Sequence, residues 1–405
     1  MQKFLCRLII MMCALLFGVA HACDTNQIDI LDDGTNCIDT KFSLTTTSLT
    51  LPDESEFRWY MSASGTFYVD CGTDGTLSGT GVSGKTITRT TTDEELYTCT
   101  YTSGGTKTIS MAGLATGYNK ETAVSPGGAA IRFGYDTVAD NSTPTLIIMI
   151  SGSIGRIFPT LGQTNGQQPR FKHTFGVTNI TAIPEHIFDG IYGGISLMFY
   201  ATFYRCYNLT DIPEKLFINI TSAPYIFRST FNQCTKLTSI PENLFNNITA
   251  GANYMFQYTF KECRALTKIP NYLFSNISTH ATGLFQNTFA SCSNLSGYIP
   301  STLFAGLINN GSQYAGGMFN NSFYHTNLTT TCPTGTTQYI TGYENYWDNH
   351  VSCTPNVITI NWNDGNGGTD TTTCTYGGTI TTPTVAPTKR GHTFLGWRFV
   401  APSGN

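Results

Sequence analysis

The sequence predicts an α+β, multidomain chain with an N-terminal β-sandwich, a central solenoid of short repeats and a small C-terminal β-grasp-like module. Three observations lead to this prediction. One motif occurs six times in the middle of the chain, at intervals of 28 to 34 residues. Short runs of β-branched and aromatic residues, separated by turn residues, come before and after it. At 405 residues, the chain is also too long for a single core, so about two to four domains are expected.

The first 22 residues have the pattern of a secretory signal peptide. A positively charged start is followed by an uncharged apolar run over 8–20, and residues 20–22 fit the small-x-small cleavage rule. The run is too short to span a bilayer, and no later run is long enough. We therefore predict a secreted or cell-surface protein with no transmembrane segment after cleavage. An uncut anchor and lipidation of Cys23 are the alternatives.

The composition excludes one class of partner and favours one class of fold. Only 12% of the residues are charged and the net charge is −4, which excludes the basic surface of a nucleic-acid-binding protein. Gly, Thr, Asn and Ser dominate, with frequent Tyr and Phe, as in β- and turn-rich proteins. An exported chain can also form disulfides.

Residues 23–165 predict the β-sandwich, because short β-type runs alternate with Gly, Thr and Ser clusters. The segments 67–75 and 101–110 resemble the PKD-like sandwich family, with Cys71 where that family usually has tryptophan. A disulfide between Cys71 and Cys99 would replace the packing of that tryptophan. Cys23 with Cys37 is a second candidate pair, and connectivity does not follow from sequence alone.

Residues 166–331 consist of copies of one motif. Each copy has Phe-x-x-Thr-Phe, most copies have Cys three residues later and Leu three further on, and Ile-Pro and another Phe follow. The last phenylalanines of the Phe-x-x-Thr-Phe copies (Phe-x-x-Ser-Phe in the sixth) are Phe175, Phe203, Phe231, Phe260, Phe289 and Phe323. A unit of this length cannot bury its own apolar face, so stacking of units is predicted. The Leu-x-x-Ile segment predicts a short strand, and the proline-led segment a helical turn.

This motif resembles the BspA-type leucine-rich repeat family of bacterial and protist surface proteins over residues 171–330. The resemblance implies a leucine-rich-repeat solenoid and a role in adhesion or protein–protein interaction. The first and last copies lack the cysteine and are expected to be end caps. The remaining cysteines predict a buried structural ladder rather than a metal site, because free cysteine packs as a small hydrophobe. They are Cys206, Cys234, Cys263 and Cys292.

The end of the chain predicts a linker and a further module. Cys332 and Cys353 bracket a loop, so 332–355 is predicted to be a linker pinned by a disulfide. Residues 356–405 contain a Tyr-Gly pair, spaced prolines and the sequence Gly-x-Thr-Phe-x-Gly-Trp. These elements resemble the internalin B-repeat (Listeria–Bacteroides repeat) family, which implies a small β-grasp-like module of extracellular bacterial proteins.

The sequence predicts a protein that is not an enzyme and has no cofactor or metal, because the motifs of hydrolases, zinc proteases and phosphate-binding loops are missing. The preferred function is adhesion or protein–protein interaction through the repeat exterior. The partner would be an unknown protein of a host or other cell surface, or a glycan. The candidate binding residues lie between the fixed Leu and Ile and are Thr210, Asp211, Thr238, Ser239, Thr267 and Lys268.

Two alternatives remain beside this function. The chain could be a structural spacer of the cell envelope without a specific ligand. The N-terminal sandwich could instead bind a glycan through Trp59, Tyr60 and Tyr68, since aromatic faces stack on sugars.

Overall fold

The computed structural model is built almost entirely from strands and turns, with 26% strand and 3% helix. The predicted α+β class with a leucine-rich-repeat solenoid is therefore wrong. The predicted signal peptide over 1–22, the Cys332–Cys353 pairing and most of the C-terminal module lie outside the described residues. The structure describes residues 23–51, 53, 55–123, 127–134, 142–300, 302–308, 317–331, 353–354, 357–363, 369–375 and 383.

The N-terminal part consists of antiparallel strands. The strands are β1 (Gln27–Asp29), β2 (Cys37–Asp39), β3 (Phe42–Leu49), β4 (Glu56–Met61), β5 (Ala63–Asp70), β6 (Gly75–Ser78), β7 (Val82–Ser83), β8 (Thr86–Arg89), β9 (Glu95–Tyr101), β10 (Gly105–Tyr118), β11 (Ile131–Arg132) and β12 (Ile147–Gly152). A six-stranded sheet has the order β12-β3-β10-β5-β8-β7, a four-stranded sheet has the order β11-β4-β9-β6, and β1 pairs with β2. Two 3₁₀ turns, Pro144–Leu146 and Ile154–Arg156, flank β12.

The two larger sheets bury alternate side chains against each other, as the period of two in a strand requires. A disulfide joins the sheets: Cys71 follows β5 directly, Cys99 lies in β9, and their Cα atoms are 5.7 Å apart. A second disulfide joins Cys23 to Cys37 with a Cα–Cα distance of 5.6 Å. Both are the pairings that the sequence analysis put forward.

The repeat units form consecutive hydrogen-bonded turns instead of strands or helices. From Tyr200 to Cys206, each even-numbered N–H donates to the carbonyl three residues before it. From Phe199 to Arg205, each odd-numbered N–H donates to a carbonyl of the next unit, as Phe199 does to Ile226 at 2.9 Å. The backbone amides of this stretch are thus satisfied without regular secondary structure.

This arrangement places a left-handed residue at every fourth position. Leu197, Ala201 and Arg205 have φ of 65°, 53° and 57°, and the equivalent residues of the next unit follow the same rule. A non-glycine residue pays roughly 1–2 kcal/mol for this conformation. Tertiary hydrogen bonds and packing must therefore hold it. The strands predicted at Leu-x-x-Ile and the helical turns predicted at the proline-led segment do not form in most units.

The apolar interior of the units is a set of phenylalanine columns. In each column, equivalent rings of successive units stack with centroids 5.4 to 6.4 Å apart and planes within 16°. We call the described units from 171 to 323 the repeat stack. One column continues from Phe175 through Phe133 to Phe42 of β3, at 5.8 and 5.9 Å. The core is therefore continuous from the sheets into the stack.

The four cysteines of the predicted ladder are free and buried within this stack. Each Sγ donates to the carbonyl of the last Phe of the preceding copy, for example Cys206 to Phe175 at 3.0 Å. Burial raises the pKa of Cys206 to about 12, so its thiol stays protonated at neutral pH. In the first and last copies, Thr178 and Thr326 occupy the cysteine position, and each hydroxyl donates to the Phe carbonyl three residues before it at 2.8 Å.

Regular structure returns at the far end of the stack. The segment between Leu and Ile forms a strand only in the last described copies, where β13 (Ser296–Tyr298), β14 (Asn327–Thr331) and β15 (Cys353–Thr354) are parallel. A single helical turn, α1 (Ala305–Ile308), follows the last Ile-Pro pair. The hairpin of β16 (Val357–Asn363) and β17 (Thr369–Thr375) begins the C-terminal module.

Candidate functional site

A cleft of about 350 Å³ crosses the first units of the repeat stack. Every residue that lines it comes from the two variable positions of Phe-x-x-Thr-Phe or from the position that follows the motif. We call it the tyrosine–arginine cleft. Its lining residues are His173, Tyr200, Ala201, Tyr204, Arg228, Ser229, Asn232, Tyr258 and Lys261.

The cleft exists because side-chain size varies along one column of the stack. His173, Ala201, Ser229 and Tyr258 occupy the same position in four consecutive units, with φ between 53° and 60°. The backbone course is thus the same in each unit, and only the side chains differ. Two small side chains lie between two large ones, so Ala201 and Ser229 leave the space that His173 and Tyr258 bound at either end.

Arg228 is the central charge of the cleft. Its guanidinium carbon lies 5.7 Å from the ring centroids of Tyr200 and Tyr225 and 6.0 Å from that of Tyr258. These distances are within the range in which a cation is attracted to an aromatic face. In the part of the chain that the structure describes, no carboxylate forms an ion pair with Arg228. Tyrosine faces therefore surround a positive charge that no acidic side chain neutralises.

A second cation lies at the edge of the same cleft. Lys261 Nζ is 5.6 Å from the centroid of the Tyr258 ring. It also lies 3.4 Å from Glu262 Oε1, and Glu262 in turn contacts Arg264 at 3.2 Å. The charge of Lys261 is thus partly balanced, and Arg228 remains the stronger site for an anion.

Arg228 Nε, a donor, and Asn232 Oδ1, an acceptor, are buried polar atoms of the cleft that have no hydrogen bond with a described residue. Buried polar atoms of folded proteins are nearly always paired, so each such atom calls for an explanation. A ligand in the cleft is one explanation that accounts for both.

His173 forms one end of the cleft as a neutral side chain. Its ring meets the Tyr200 and Tyr204 rings edge-on, with centroids 5.2 and 6.3 Å away. Burial, together with the positive charges of Arg132 and Lys172, lowers the pKa of His173 to about 3. The histidine therefore adds shape to the cleft but no positive charge at neutral pH.

Acidification should destabilise the protein through His173. In the unfolded chain histidine takes up a proton near pH 6.5, whereas folded His173 does so only near pH 3, so stability is lost as the pH falls between these values. From pH 7 to pH 5 the loss from this group should be about 2 kcal/mol in the free energy of unfolding. Urea denaturation at both pH values measures it.

The matched variant for this test is His173→Asn. Asparagine is the residue at the same column position in two later units, Asn287 and Asn321, with φ of 56° and 53°, so the backbone accepts it. The variant should lose less stability than the natural chain between pH 7 and pH 5. The pKa of Lys172, which burial lowers to about 8, lies above this window. Equal losses in the two proteins would contradict the assignment.

The six residues that the sequence analysis selected lie elsewhere on the stack. Equivalent positions of neighbouring units lie next to each other, and the Thr238 hydroxyl donates to the Thr210 carbonyl at 3.3 Å. Most of the six residues are exposed. The Thr210 hydroxyl also contacts Asp211 Oδ2 at 2.7 Å. We call these six residues the exposed row. None of them lines the tyrosine–arginine cleft.

The three aromatic residues of the N-terminal sheets that were predicted to bind a glycan do not form a common exposed surface. Trp59 is only 1% exposed and stacks on Tyr97 in the core, with ring centroids 5.9 Å apart. Tyr60 is covered by Arg132, whose guanidinium carbon lies 4.0 Å above its ring. Tyr68 is half-buried. Trp59, the largest of the three, therefore fills the core and cannot stack on a ligand.

The sequence contains a signal for the cleft at the variable positions of the motif. The fixed Phe and Thr predict core residues, and two variable positions lie between them. Those positions read Tyr-Ala, Arg-Ser and Gln-Tyr in three consecutive copies. A cluster of Tyr and Arg at variable positions of a repeat indicates a binding surface, because these residue types dominate binding hot spots.

Comparisons with known proteins find one domain. Residues 359–402 match the model of the Listeria-Bacteroides repeat domain (List_Bact_rpt), inside the module predicted over 356–405. The resemblances to BspA-type leucine-rich repeats and to PKD-like domains are not confirmed. No curated protein and no solved structure matches the chain.

Two further findings concern the location of the protein. No helix among the described residues is both long and apolar enough to cross a membrane. Listeria-Bacteroides repeats are found in surface proteins. Residues 359–402 are thus similar to a Listeria-Bacteroides repeat domain, and the chain is consistent with a cell-surface role.

Proposed function

We propose that this chain is a non-catalytic cell-surface protein that binds a partner through its repeat stack, with the tyrosine–arginine cleft as the main contact. The observation that carries the proposal is the position of Arg228 among three tyrosine rings, without a carboxylate partner in the described chain. Tyr and Arg are the residue types that contribute most to binding energy. The site is also concave, which is the usual shape of a ligand site.

Two features support binding rather than catalysis. The described lining residues include no carboxylate or thiol, and among the described residues the Ser229 hydroxyl has no hydrogen bond to a base that would activate it as a nucleophile. The lining side chains also belong to a stack whose Phe columns and inter-unit hydrogen bonds hold them in place. A rigid surface reduces the ordering cost of binding.

Filling the cleft should abolish binding without unfolding the stack. Ser229→Tyr introduces the side chain that the same column has at Tyr258, with nearly the same φ of 57° and 60°. Stacked tyrosines in adjacent units already exist in Tyr225 and Tyr254, whose centroids are 5.2 Å apart. The variant should reduce saturable binding of the purified, labelled chain to intact cells and matrix at least about tenfold, since it removes a central contact.

The control is Asn287→Tyr, which introduces the same side chain in the same column but outside the cleft. It should leave binding unaltered. A double variant, Asp211→Lys with Lys268→Glu, tests the exposed row. Loss of binding there, with Ser229→Tyr unaffected, would move the contact to the exposed row. The absence of any saturable binding by the natural chain would favour the structural-spacer hypothesis.

A further inference from the structure

We infer that the ligand of the tyrosine–arginine cleft is an acidic sugar, a uronic or sialic acid unit of a glycan. The inference rests on the proposed function and names the chemical class of its ligand. Such a ligand has three features that complement the cleft: a carboxylate, neighbouring hydroxyl donors and a flat apolar ring face.

The carboxylate is indicated by Arg228. A guanidinium forms paired hydrogen bonds with a carboxylate, and such charge-assisted bonds are among the strongest that a site can offer. Arg228 has no acidic partner in the described chain, and its Nε has no acceptor there. Lys261 adds a second positive charge near the ring of Tyr258. On a protein with a net charge of −4, this is a local positive site.

The hydroxyl donors are indicated by Asn232. Its buried Oδ1 accepts no hydrogen bond from a described residue, so the complementary ligand atom is a donor. Ser229 also lines the cleft, and its hydroxyl can donate or accept. A sugar acid carries hydroxyl groups next to its carboxylate and can satisfy Arg228 and Asn232 together.

The apolar ring face is indicated by the tyrosines. Tyr200, Tyr204 and Tyr258 line the cleft and are only half-buried, so they can offer ring surface to a ligand. Tyrosine combines such an apolar face with a polar hydroxyl, which suits a ring that has both characters. The volume of about 350 Å³ lies at the lower end of small-molecule sites, which favours a terminal sugar unit over a longer chain segment.

An acidic peptide is the competing ligand class, and the cleft fits it less well. The side chain of Asp or Glu would pair with Arg228, and a backbone N–H of the peptide could donate to Asn232. Neither Asp nor Glu has a ring face for the tyrosines. An acidic peptide would therefore use the charge of the cleft and leave the tyrosine faces unused.

The test is titration of the purified chain with N-acetylneuraminic acid, glucuronic acid, glucose and a short polyglutamate peptide, followed by calorimetry or NMR. The two acidic sugars should bind at least about tenfold more tightly than glucose, because only they pair with Arg228. Arg228→Gln should remove that difference. Glutamine is already present at this column position in Gln257 and Gln286, so the variant should fold.

The control for total charge is Lys215→Gln, an exposed lysine away from the cleft, which should not alter acidic-sugar binding. Polyglutamate binding as tightly as the sugar acids, with the same loss in Arg228→Gln, would overturn the sugar assignment in favour of a protein ligand. Equal binding of glucose and the sugar acids would also overturn it. If no sugar binds but Ser229→Tyr still blocks binding to cells, the ligand class is wrong and the proposed function stands.

Discussion

Replacing Phe256 by alanine should lower the free energy of unfolding by about 3–5 kcal/mol, the usual cost of removing a buried aromatic ring. Phe256 lies in the middle of the repeat stack and is fully buried. It stacks on Phe227 and Phe285 at 5.5 and 5.6 Å and meets Phe245 and Phe274 at 4.8 and 4.7 Å. The substitution leaves a cavity between two columns that the neighbouring units cannot close without shifting.

Urea denaturation followed by circular dichroism would measure this effect. Phe256→Leu should cost clearly less, because it keeps most of the apolar volume. Tyr272→Ala is the surface control: Tyr272 is 52% exposed, and its removal should cost less than about 0.5 kcal/mol. A loss in Phe256→Ala as small as that in Tyr272→Ala would show that the stacked rings do not stabilise the fold.

Removing the Cys71–Cys99 disulfide should have the second largest effect. The bridge spans 28 residues, and a loop of that size stabilises the native state by about 3–4 kcal/mol through the lost freedom of the unfolded chain. Both residues are buried between the two large sheets, so the paired replacement Cys71→Ala with Cys99→Ala also removes packing there. Chemical denaturation of this double variant gives the value.

The Cys23–Cys37 bridge is the matched control. It spans 14 residues and holds only the N-terminal pair β1–β2, which forms a separate two-stranded sheet. Its removal should loosen that pair and leave the unfolding of the large sheets nearly unchanged, because local opening need not unfold the core. If both double variants lowered the main transition equally, the cross-sheet bridge would have no special role.

The grouping of residues in the candidate site could not be predicted from the sequence. Arg228, Tyr200 and Tyr258 lie 28 to 58 residues apart in the chain, and each looks like an ordinary surface residue in its own unit. Only the stacking of units brings the two tyrosine rings within about 6 Å of the Arg228 guanidinium. The exposed row was predicted from strand alternation, but that segment is a strand only in the last described copies. Periodicity therefore located the surface residues without showing which of them share a cleft.

The sequence by itself determined the repeat period, the phenylalanines and cysteines of the core, and the Listeria-Bacteroides module. It suggested both disulfide pairings of the N-terminal part, and the structure established them. These properties depend on the type and spacing of residues. The tertiary structure alone decided the backbone of the repeats and the cleft. Left-handed residues such as Ala201 and Ser229 are unfavourable in isolation and exist because hydrogen bonds between units hold them. Their small side chains then create a cleft only because His173 and Tyr258 stand at the same position in neighbouring units.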